Sequence, residues 1–373
     1  MTGGKVNTFN QIKILVHSEY LIFEWAKKTV NAFNSYALKN KMELRTAFTP
    51  EKLMLSHGET VIVLGVDRPW LTDVIGKLKE YGVNIIVSYG EPCENIDNIS
   101  YIRVDQCSLM RASLEHLASC GKTSTAFFGV QKNDTSEGIK ARYFKKFFPS
   151  ENVYPLNDSV NTAFDSFYRD AERYDSVICS NDVIAYCFMR RCRESGIQVP
   201  RDLYLVGNGD LWISSHMKPS LTTATYNWHD MIETVMSIIK NVFPLPSVCS
   251  LDIKLEASFV SRESTGYFFK HPQSDEVKQT LPTVLYDYKE QIPETDREIQ
   301  MLHNLNQTLF CASVVQREIL VRLARHESYE KIAEALVMST EAVKYHAKKL
   351  YRQLDIHSKN ELSLLFGTYK LII

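Results

Sequence analysis

From Gln11 to about Gly266, short apolar runs alternate with longer stretches in which apolar residues recur at helical spacing. The apolar runs predict strands at 12–16, 61–64, 83–87, 125–128, 177–179 and 203–206. The amphipathic stretches predict helices at 23–37, 71–81, 109–119 and 183–195. Strands that alternate with helices of this length predict parallel sheets built from right-handed crossovers. Because ligands in such folds bind at the carboxyl ends of the strands, we expect ligand-facing loops to begin at His17, Ser88, Gly129, Ser180 and Gly207.

The pattern changes after Gly266. Residues 267–293 contain three X-Pro steps and no sustained periodicity, which predicts a linker. Beyond Pro293 the chain is predicted to be helical, with capping pairs at Thr295/Glu298, Ser313/Gln316 and Ser358/Glu361. An apolar stripe follows the first of these pairs: Ile299, Leu302, Leu305 and Leu309. Four or five short helices joined by short turns predict either a small helix-turn-helix domain or a generic helical cap on the α/β body.

Composition narrows the class of protein. The 373 residues include 43 Lys+Arg and 44 Asp+Glu, and contents of 45% hydrophobic and 23% charged residues exclude a disordered or collagen-like chain. The first eleven residues lack the apolar core of a signal peptide, and no segment approaches about 18 uninterrupted apolar residues. We therefore expect a cytoplasmic protein without a membrane partner. The eight cysteines are scattered with no C-x-x-C pair, which favours reduced thiols.

Signatures of catalysis are absent from the sequence. It contains no G-x-S-x-G elbow, P-loop, H-E-x-x-H or paired-carboxylate pattern. Gly207-Asn-Gly209 is an isolated G-x-G without the later glycine of a dinucleotide-binding turn. We therefore expect no catalytic residues, no metal site and no cofactor, and a protein that is not an enzyme.

The helix predicted at 340–354 carries an unusual charge. It holds four cations against one acid, Glu341, for a net charge of +3: Lys344, Lys348, Lys349 and Arg352. Three of the cations recur every four residues on one face, and the opposite face is apolar: Val343, Ala347, Leu350 and Leu354. This pattern is typical of a recognition helix, whose apolar side packs on its own domain while its basic side meets phosphates and base edges. It is also compatible with an ordinary solvated helix face.

The order of residues in this region resembles the LuxR-type helix-turn-helix over about 313–365. The most specific part is Val343-Lys344-x-His346 followed by Leu350-Tyr351 and Leu354-x-Ile356. The resemblance implies a scaffold helix at 328–336, a reading helix at 340–354 and a structural acid at Glu318. Lys344, Tyr345 and Lys348 match positions that face DNA in the family, and the predicted DNA-binding set is Thr340, Lys344, Tyr345, Lys348, Lys349 and Arg352. His326 departs from the pattern, because the family usually has a chain-turning glycine there.

A second resemblance covers about 11–266. The segments 175–185, 193–207, 219–223 and 260–265, together with 104–105 and 115–122, look like the effector domain of the lac repressor family. The resemblance implies two parallel α/β lobes joined by three crossovers, with a ligand between the lobes. The predicted fold class is therefore α/β, a two-lobed periplasmic-binding-protein-like sensor with parallel sheets, plus a small all-α helix-turn-helix domain. The predicted domains are a sensor at 11–266, a linker and connecting helix at 267–310, and a DNA-binding domain at 311–373.

The resemblance also indicates where an effector would bind. Asn181 matches a ligand-facing position, whereas Lys140 and Gly209 replace the arginine and aspartate with which sugar-binding members fix hydroxyl groups. Five aromatic residues fall in or near the expected loops and either stack on a ligand or pack in the core: Tyr20, Phe23, Tyr89, Trp212 and Tyr226. The predicted ligand set is Tyr20, Phe23, Tyr89, Lys140, Asn181, Asp210 and Tyr226.

These observations predict a bacterial transcription regulator whose sensor binds a small effector, such as a sugar or derivative, and controls binding to double-stranded DNA. A homodimer is expected, because two reading helices address two half-sites. The apolar stripe at 299–309 either pairs subunits or packs on its own domain. The alternative hypothesis, motivated by the altered sugar-fixing positions, is a ligand-free or protein-partner-responsive regulator with a degenerate effector cleft.

Overall fold

The computed structural model describes residues 10–22, 24–65, 67–88, 98–131, 135–243, 250–267 and 297–371. These residues form two compact units. Unit 1 contains the described residues of Met1–Asp105 and Tyr226–Glu256, and unit 2 those of Gln106–Thr225, Ala257–Ser274 and Gln291–Ile373. Within the described ranges the chain passes from one unit to the other after Asp105, Thr225 and Glu256, which agrees with the three crossovers that the resemblance implies.

Unit 1 is built around a parallel sheet in the order β2-β1-β3-β4-β5-β11. Its strands are β1 Gln11–Val16, β2 Glu43–Ala47, β3 Thr60–Leu64, β4 Asn84–Ser88, β5 Ser100–Val104 and β11 Asp252–Leu255, and its helices are α1 Glu24–Lys39, α2 Arg68–Glu80 and α7 Trp228–Ser237. The central strands are continuous Val/Ile/Leu runs because helices cover both faces of the sheet.

Unit 2 contains a second sheet in the order β7-β6-β8-β9-β10-β12, parallel except for the β10–β12 pair. Its strands are β6 Thr125–Gln131, β7 Val153–Leu156, β8 Ser176–Cys179, β9 Tyr204–Asn208, β10 Thr222–Thr225 and β12 Ser258–Val260. The helices that pack beside this sheet are α3 Gln106–Ser119, α4 Thr135–Phe144, α5 Val160–Tyr168 and α6 Asp182–Glu194. The two sheets confirm the predicted α/β class. The edge strand β12 is antiparallel to its neighbour β10.

Five helices complete unit 2: α8 Arg297–Cys311, α9 Val314–Ala324, α10 Tyr329–Ala335, α11 Thr340–Leu354 and α12 Lys359–Tyr369. Their apolar side chains share one core with α6 and the strands beside it. The stripe of Ile299, Leu302, Leu305 and Leu309 is buried in that core. The stripe therefore packs within its own chain, and the alternative that it pairs subunits is wrong.

Capping residues explain where two of these helices begin. Ser313 and Gln316 form the predicted reciprocal capping box at the start of α9. At α12, Ser358 accepts from the amide of Glu361, whose carboxylate accepts from the amide of His357. The carboxylate of Glu298, the second member of the pair predicted at Thr295/Glu298, binds Arg190 and Tyr369. Thr295 lies outside the described residues.

No helix in the described ranges has both the length and the apolar character needed to cross a membrane.

Candidate DNA-binding face and effector-binding edges

Helix α11 has one buried and one exposed face. Ser339 caps its first turn by accepting a hydrogen bond from the amide of Ala342, and Asp355 ends it in a left-handed conformation. The apolar residues that the sequence placed on one face are 0–2% exposed: Val343, Ala347, Leu350 and Leu354. The helix is therefore seated by these four side chains, which leaves its other face toward solvent.

The predicted DNA-binding residues lie on the outward side of α11. Lys344, Tyr345, Lys348 and Arg352 are exposed, and Thr340 and Lys349 are half-buried. Tyr345 presents 66% of its surface to solvent, so its phenol is accessible on the same face as the cations. The ammonium group of Lys344 lies 2.9 Å from the carboxylate of Glu341, an exposed pair that raises the pKa of the lysine. Such a pair costs little to break when a phosphate competes for the cation.

The turn between α9 and α10, the predicted scaffold helix, contains His326. This residue has φ of +62°, in the left-handed region that favours glycine. The turn geometry that glycine supplies in the family is therefore retained here by a histidine. Before the turn, Glu318 pairs with Arg322 at 2.7 Å, and the same guanidinium pairs with Glu327 at 3.0 Å.

In unit 2, two of the predicted ligand residues meet at the carboxyl end of β8. Lys140 is buried and its ammonium donates to the carbonyl of Ser180 at 2.6 Å. Asn181 caps α6 by accepting from the amide of Ile184, and its amide donates to Glu137 at 3.3 Å. Glu137, which sequence reasoning missed, also accepts from the amide of Gln131 at 2.6 Å. The structure thus brings a cation, an anion and an amide to one edge.

Asn208, at the end of β9, is a second residue that sequence reasoning missed. It is 5% exposed, and its amide donates to the carbonyl of Cys179 at 3.4 Å, while its Oδ1 has no hydrogen-bond partner. A buried acceptor without a donor costs free energy unless another molecule supplies one. Its signal in the sequence is its position as the last residue of a buried strand at the expected ligand edge.

Asp210 lies two residues beyond β9 and forms an ion pair with Arg262 at 2.6 Å. The preceding Gly209 has φ of +124°, a conformation that side-chain-bearing residues rarely adopt. The family's aspartate would therefore be strained at this position, and the carboxylate of this chain stands one residue later.

Asp182 anchors the same edge from within the core. Its fully buried carboxylate accepts from the amide of Leu211 (2.8 Å), the hydroxyl of Ser214 (2.7 Å) and the hydroxyl of Thr223 (2.8 Å). Burial raises the pKa of Asp182, and the three hydrogen bonds oppose that shift. Gly207 makes room for this carboxylate, because a Cβ at that position would lie 2.2 Å from its Oδ1.

In unit 1 the carboxyl ends of β1 and β3 carry aromatic rings. The ring of His17 lies 5.0 Å from Tyr20 and 4.6 Å from Trp70, and Tyr20 lies 5.8 Å from Trp25. The Nδ1 atom of His17 is buried without a hydrogen-bond partner, and burial lowers the pKa of this imidazole. Neither His17 nor Trp70 was in the predicted ligand set, although His17 begins an expected loop.

The remaining predicted aromatic residues have different surroundings. Tyr226 is buried, with its ring 4.4 Å from that of Trp228. Trp212 stacks on His216 at 3.6 Å and lies under the guanidinium of Arg317, which makes it a packing residue against α9. Phe23 and Tyr89 lie outside the described residues. Within the described ranges no three His, Cys, Asp or Glu side chains are grouped as metal ligands would be.

Comparison with known proteins agrees with both parts of this architecture. Residues 114–265 match the periplasmic binding protein-like domain, and residues 313–366 match the luxR family of bacterial regulatory proteins. The HTH-type transcriptional regulator RegA of Clostridium saccharobutylicum is 27% identical over 184 residues, covering 47% of this chain and 53% of RegA. The putative HTH-type regulator YhjB of Escherichia coli is 42% identical over 55 residues, covering 15% of this chain and 28% of YhjB. The chain thus spans about half, or less, of the length of these relatives.

A solved complex of the transcriptional regulator CelR with cellobiose has a TM-score of 0.53 and 16% identity, covering 68% of this chain and 84% of that one. At this identity the likeness concerns the fold. The chain therefore contains a region similar to the periplasmic binding protein-like domain, followed by a C-terminal region similar to the luxR family of bacterial regulatory proteins.

Proposed function

We propose that this protein is a cytoplasmic transcriptional regulator that binds double-stranded DNA through α11 and senses a small polar effector through the carboxyl edges of its sheets. The observation that carries the DNA-binding part is the division of α11 into a buried apolar face and an exposed face with cations and Tyr345. A helix seated in this way presents side chains of fixed register to a major groove.

The DNA contacts are assigned to Thr340, Lys344, Tyr345, Lys348, Lys349 and Arg352. The cations form ion pairs with phosphates of the DNA. The phenol of Tyr345 and the hydroxyl of Thr340 form hydrogen bonds with the DNA. The helix carries a net charge of only +3, so one subunit neutralises few phosphates. A homodimer that places two reading helices on two half-sites is therefore the proposed active form.

The DNA-binding assignment is tested by removing charge from the exposed face. Lys348→Ala should weaken binding to a duplex and lower the slope of log K against log salt by about one, because one phosphate contact is lost. Fluorescence anisotropy over a salt series measures both quantities. Lys370→Gln, which removes an exposed charge after α12, is the matched control and should leave them unchanged. Equal behaviour of the two variants would refute the assignment.

The effector assignment rests on the unpaired Oδ1 of Asn208 at the end of β9. Lys140 and Asn181 meet at the end of the neighbouring strand β8, and Asp210 lies two residues after Asn208. Tyr20 and the rings near it provide stacking surfaces in unit 1. A polar molecule with a hydroxyl or amine donor suits the group in unit 2. Cellobiose and ribose are suitable first probes in a thermal-shift screen, since a ligand at 100 times its Kd stabilises the folded state by about 2.7 kcal/mol.

One observation favours the second candidate, a regulator that responds to a protein partner. Lys140 and Asp210 already have partners in the chain, namely the carbonyl of Ser180 and the guanidinium of Arg262. An edge whose charged groups are satisfied internally gains less from an added ligand. If no compound of a broad library stabilises the protein in a thermal-shift screen, the result supports this candidate. If a compound stabilises the wild-type chain but not Asn208→Leu, the result supports the small-effector sensor.

A further inference from the structure

A single segment of unit 2, Asp210–His216, touches both the effector edge and the DNA-binding helices. At its start, Asp210, which follows β9, pairs with Arg262, which follows β12. The next residues are tied to the buried carboxylate of Asp182 through the amide of Leu211 and the hydroxyl of Ser214. Because Asp182 also binds Thr223 of β10, the segment is fixed to two strand ends of the same edge.

The other side of this segment contacts α8 and α9. The buried amide of Ile213 donates to Oδ1 of Asn306, in the middle of α8, at 3.1 Å. The guanidinium of Arg317, on α9, lies 5.3 Å above the ring of Trp212 and donates to the carbonyl of Leu309. The segment therefore bridges from strand ends to the helix that precedes the DNA-binding domain and to that domain's first helix.

A second attachment joins the DNA-binding helices to α6 without touching the effector edge. Glu298 of α8 receives a bidentate pair from Arg190 and a hydrogen bond from Tyr369, and Arg193 donates to the carbonyl of Thr368. These residues lie in the later turns of α6, whereas Asp182 begins that helix. One attachment thus holds the helices in place, and the other is in contact with the edge where an effector would bind.

We infer that Asp210–His216 is the coupling element that transmits effector occupancy to the DNA-binding domain, an inference that rests on the proposed function. A coupling element must change position with one site and contact the other. The segment meets the second requirement through Asn306 and Arg317. The segment also meets the first requirement, a change of position with the effector site. Its hydrogen bonds to Asp182 make it move together with the ends of β9 and β10 when these strand ends are displaced.

A ligand-independent experiment tests this coupling with two matched threonines of one sheet. Thr223→Val removes a buried hydroxyl that donates to Asp182, and Thr125→Val removes a buried hydroxyl that pairs with Ser176 at the opposite edge. Hydrogen exchange of the full chain should rise in residues 211–215 and in α8 for the first variant only. Its Kd for a 30-base-pair duplex selected by the wild-type chain should change by about fivefold or more, with the control within twofold. Equal effects of the two variants on α8 and on Kd overturn the inference.

A double-mutant cycle locates the path. Asn306→Ala removes the acceptor of the Ile213 amide, so Thr223→Val should change the Kd by less than twofold in that background. An undiminished change would overturn the inference. If Thr223→Val gives no cooperative unfolding transition, Ser214→Ala, which removes a different donor to Asp182, replaces it with the same expectations. The proposed function fails separately, when cellobiose, ribose and the wider library give no thermal shift although the cycle shows coupling.

Discussion

Helices α8 and α11 have similar amphipathic patterns but opposite surroundings. Both bury a stripe of four apolar side chains at helical spacing, and α8 also buries Phe310. In α11 the polar face remains exposed, whereas in α8 the polar residues Asn306 and Thr308 are also buried, and Glu298 pairs with residues of α6 and α12. The comparison teaches that periodicity identifies the apolar face of a helix but does not reveal whether the polar face meets water or another part of the chain.

The largest expected effect is a difference in the free energy of unfolding between the substitution of a buried leucine and that of an exposed one. Leu305→Ala should lower the free energy of unfolding by about 2–5 kcal/mol, because Leu305 is fully buried in the core shared by α6 and α8. Leu364→Ala on α12, where the leucine is 71% exposed, should change it by less than about 0.5 kcal/mol. Urea unfolding followed by circular dichroism measures both. Similar losses would contradict the seating of α8 within its own chain.

The next effect concerns the ion pair that holds α8 on α6. Arg190→Ala should cost about 1.5–3 kcal/mol, because it leaves the largely buried carboxylate of Glu298 without its bidentate partner. The exposed pair Lys77–Asp73 has a similar distance, 2.7 Å, and is the matched control. Lys77→Ala should cost no more than about 0.5 kcal/mol. A loss as small for Arg190→Ala would show that this attachment does not hold the helix.

A smaller effect depends on pH. Burial lowers the pKa of His303, on α8, from 6.5 to about 4. Because the unfolded chain binds a proton at this residue more readily, its contribution to stability is complete above pH 6.5 and is lost as the pH falls toward 4. Between pH 7.5 and 5.5 the wild-type chain should therefore lose about 1 kcal/mol more than His303→Gln. Parallel urea titrations at the two values measure this difference, and identical pH dependence in both proteins would contradict it.

Sequence reasoning predicts the buried central strands and the helices of the DNA-binding domain well, for a physical reason. Continuous apolar runs such as β3 and capped helices such as α9 carry strong local signals. It missed β2, β5, β7, β10, β11, β12, α4, α5 and α7. Strands such as β11 are short, half-exposed edge strands, and their single-residue alternation is too brief to distinguish from loops.

The site was predictable in part. The residues on the outward face of α11 follow from charge and periodicity, and Asn181 follows from its place in a motif. The unpaired Oδ1 of Asn208 and the orientation of Trp212 toward Arg317 depend on neighbours distant in sequence. No local pattern encodes such contacts, because they arise only when β9, α8 and α9 pack together.

The smallest predicted effect concerns the turn between α9 and α10, where His326 occupies a position that is usually glycine in the luxR-type pattern. His326→Gly should raise the free energy of unfolding by about 0.5–1 kcal/mol, because glycine adopts φ of +62° without the steric cost that a side chain brings. Ala335→Gly, in the exposed last turn of α10, is the matched control and should lower it by about 0.5–1 kcal/mol, since glycine there only adds chain entropy to the unfolded state. Opposite signs for the two glycine substitutions would show that the histidine occupies a strained position. Destabilisation by both would show that His326 makes contacts whose loss outweighs the relief of strain, and that the chain has adapted its turn to a side chain.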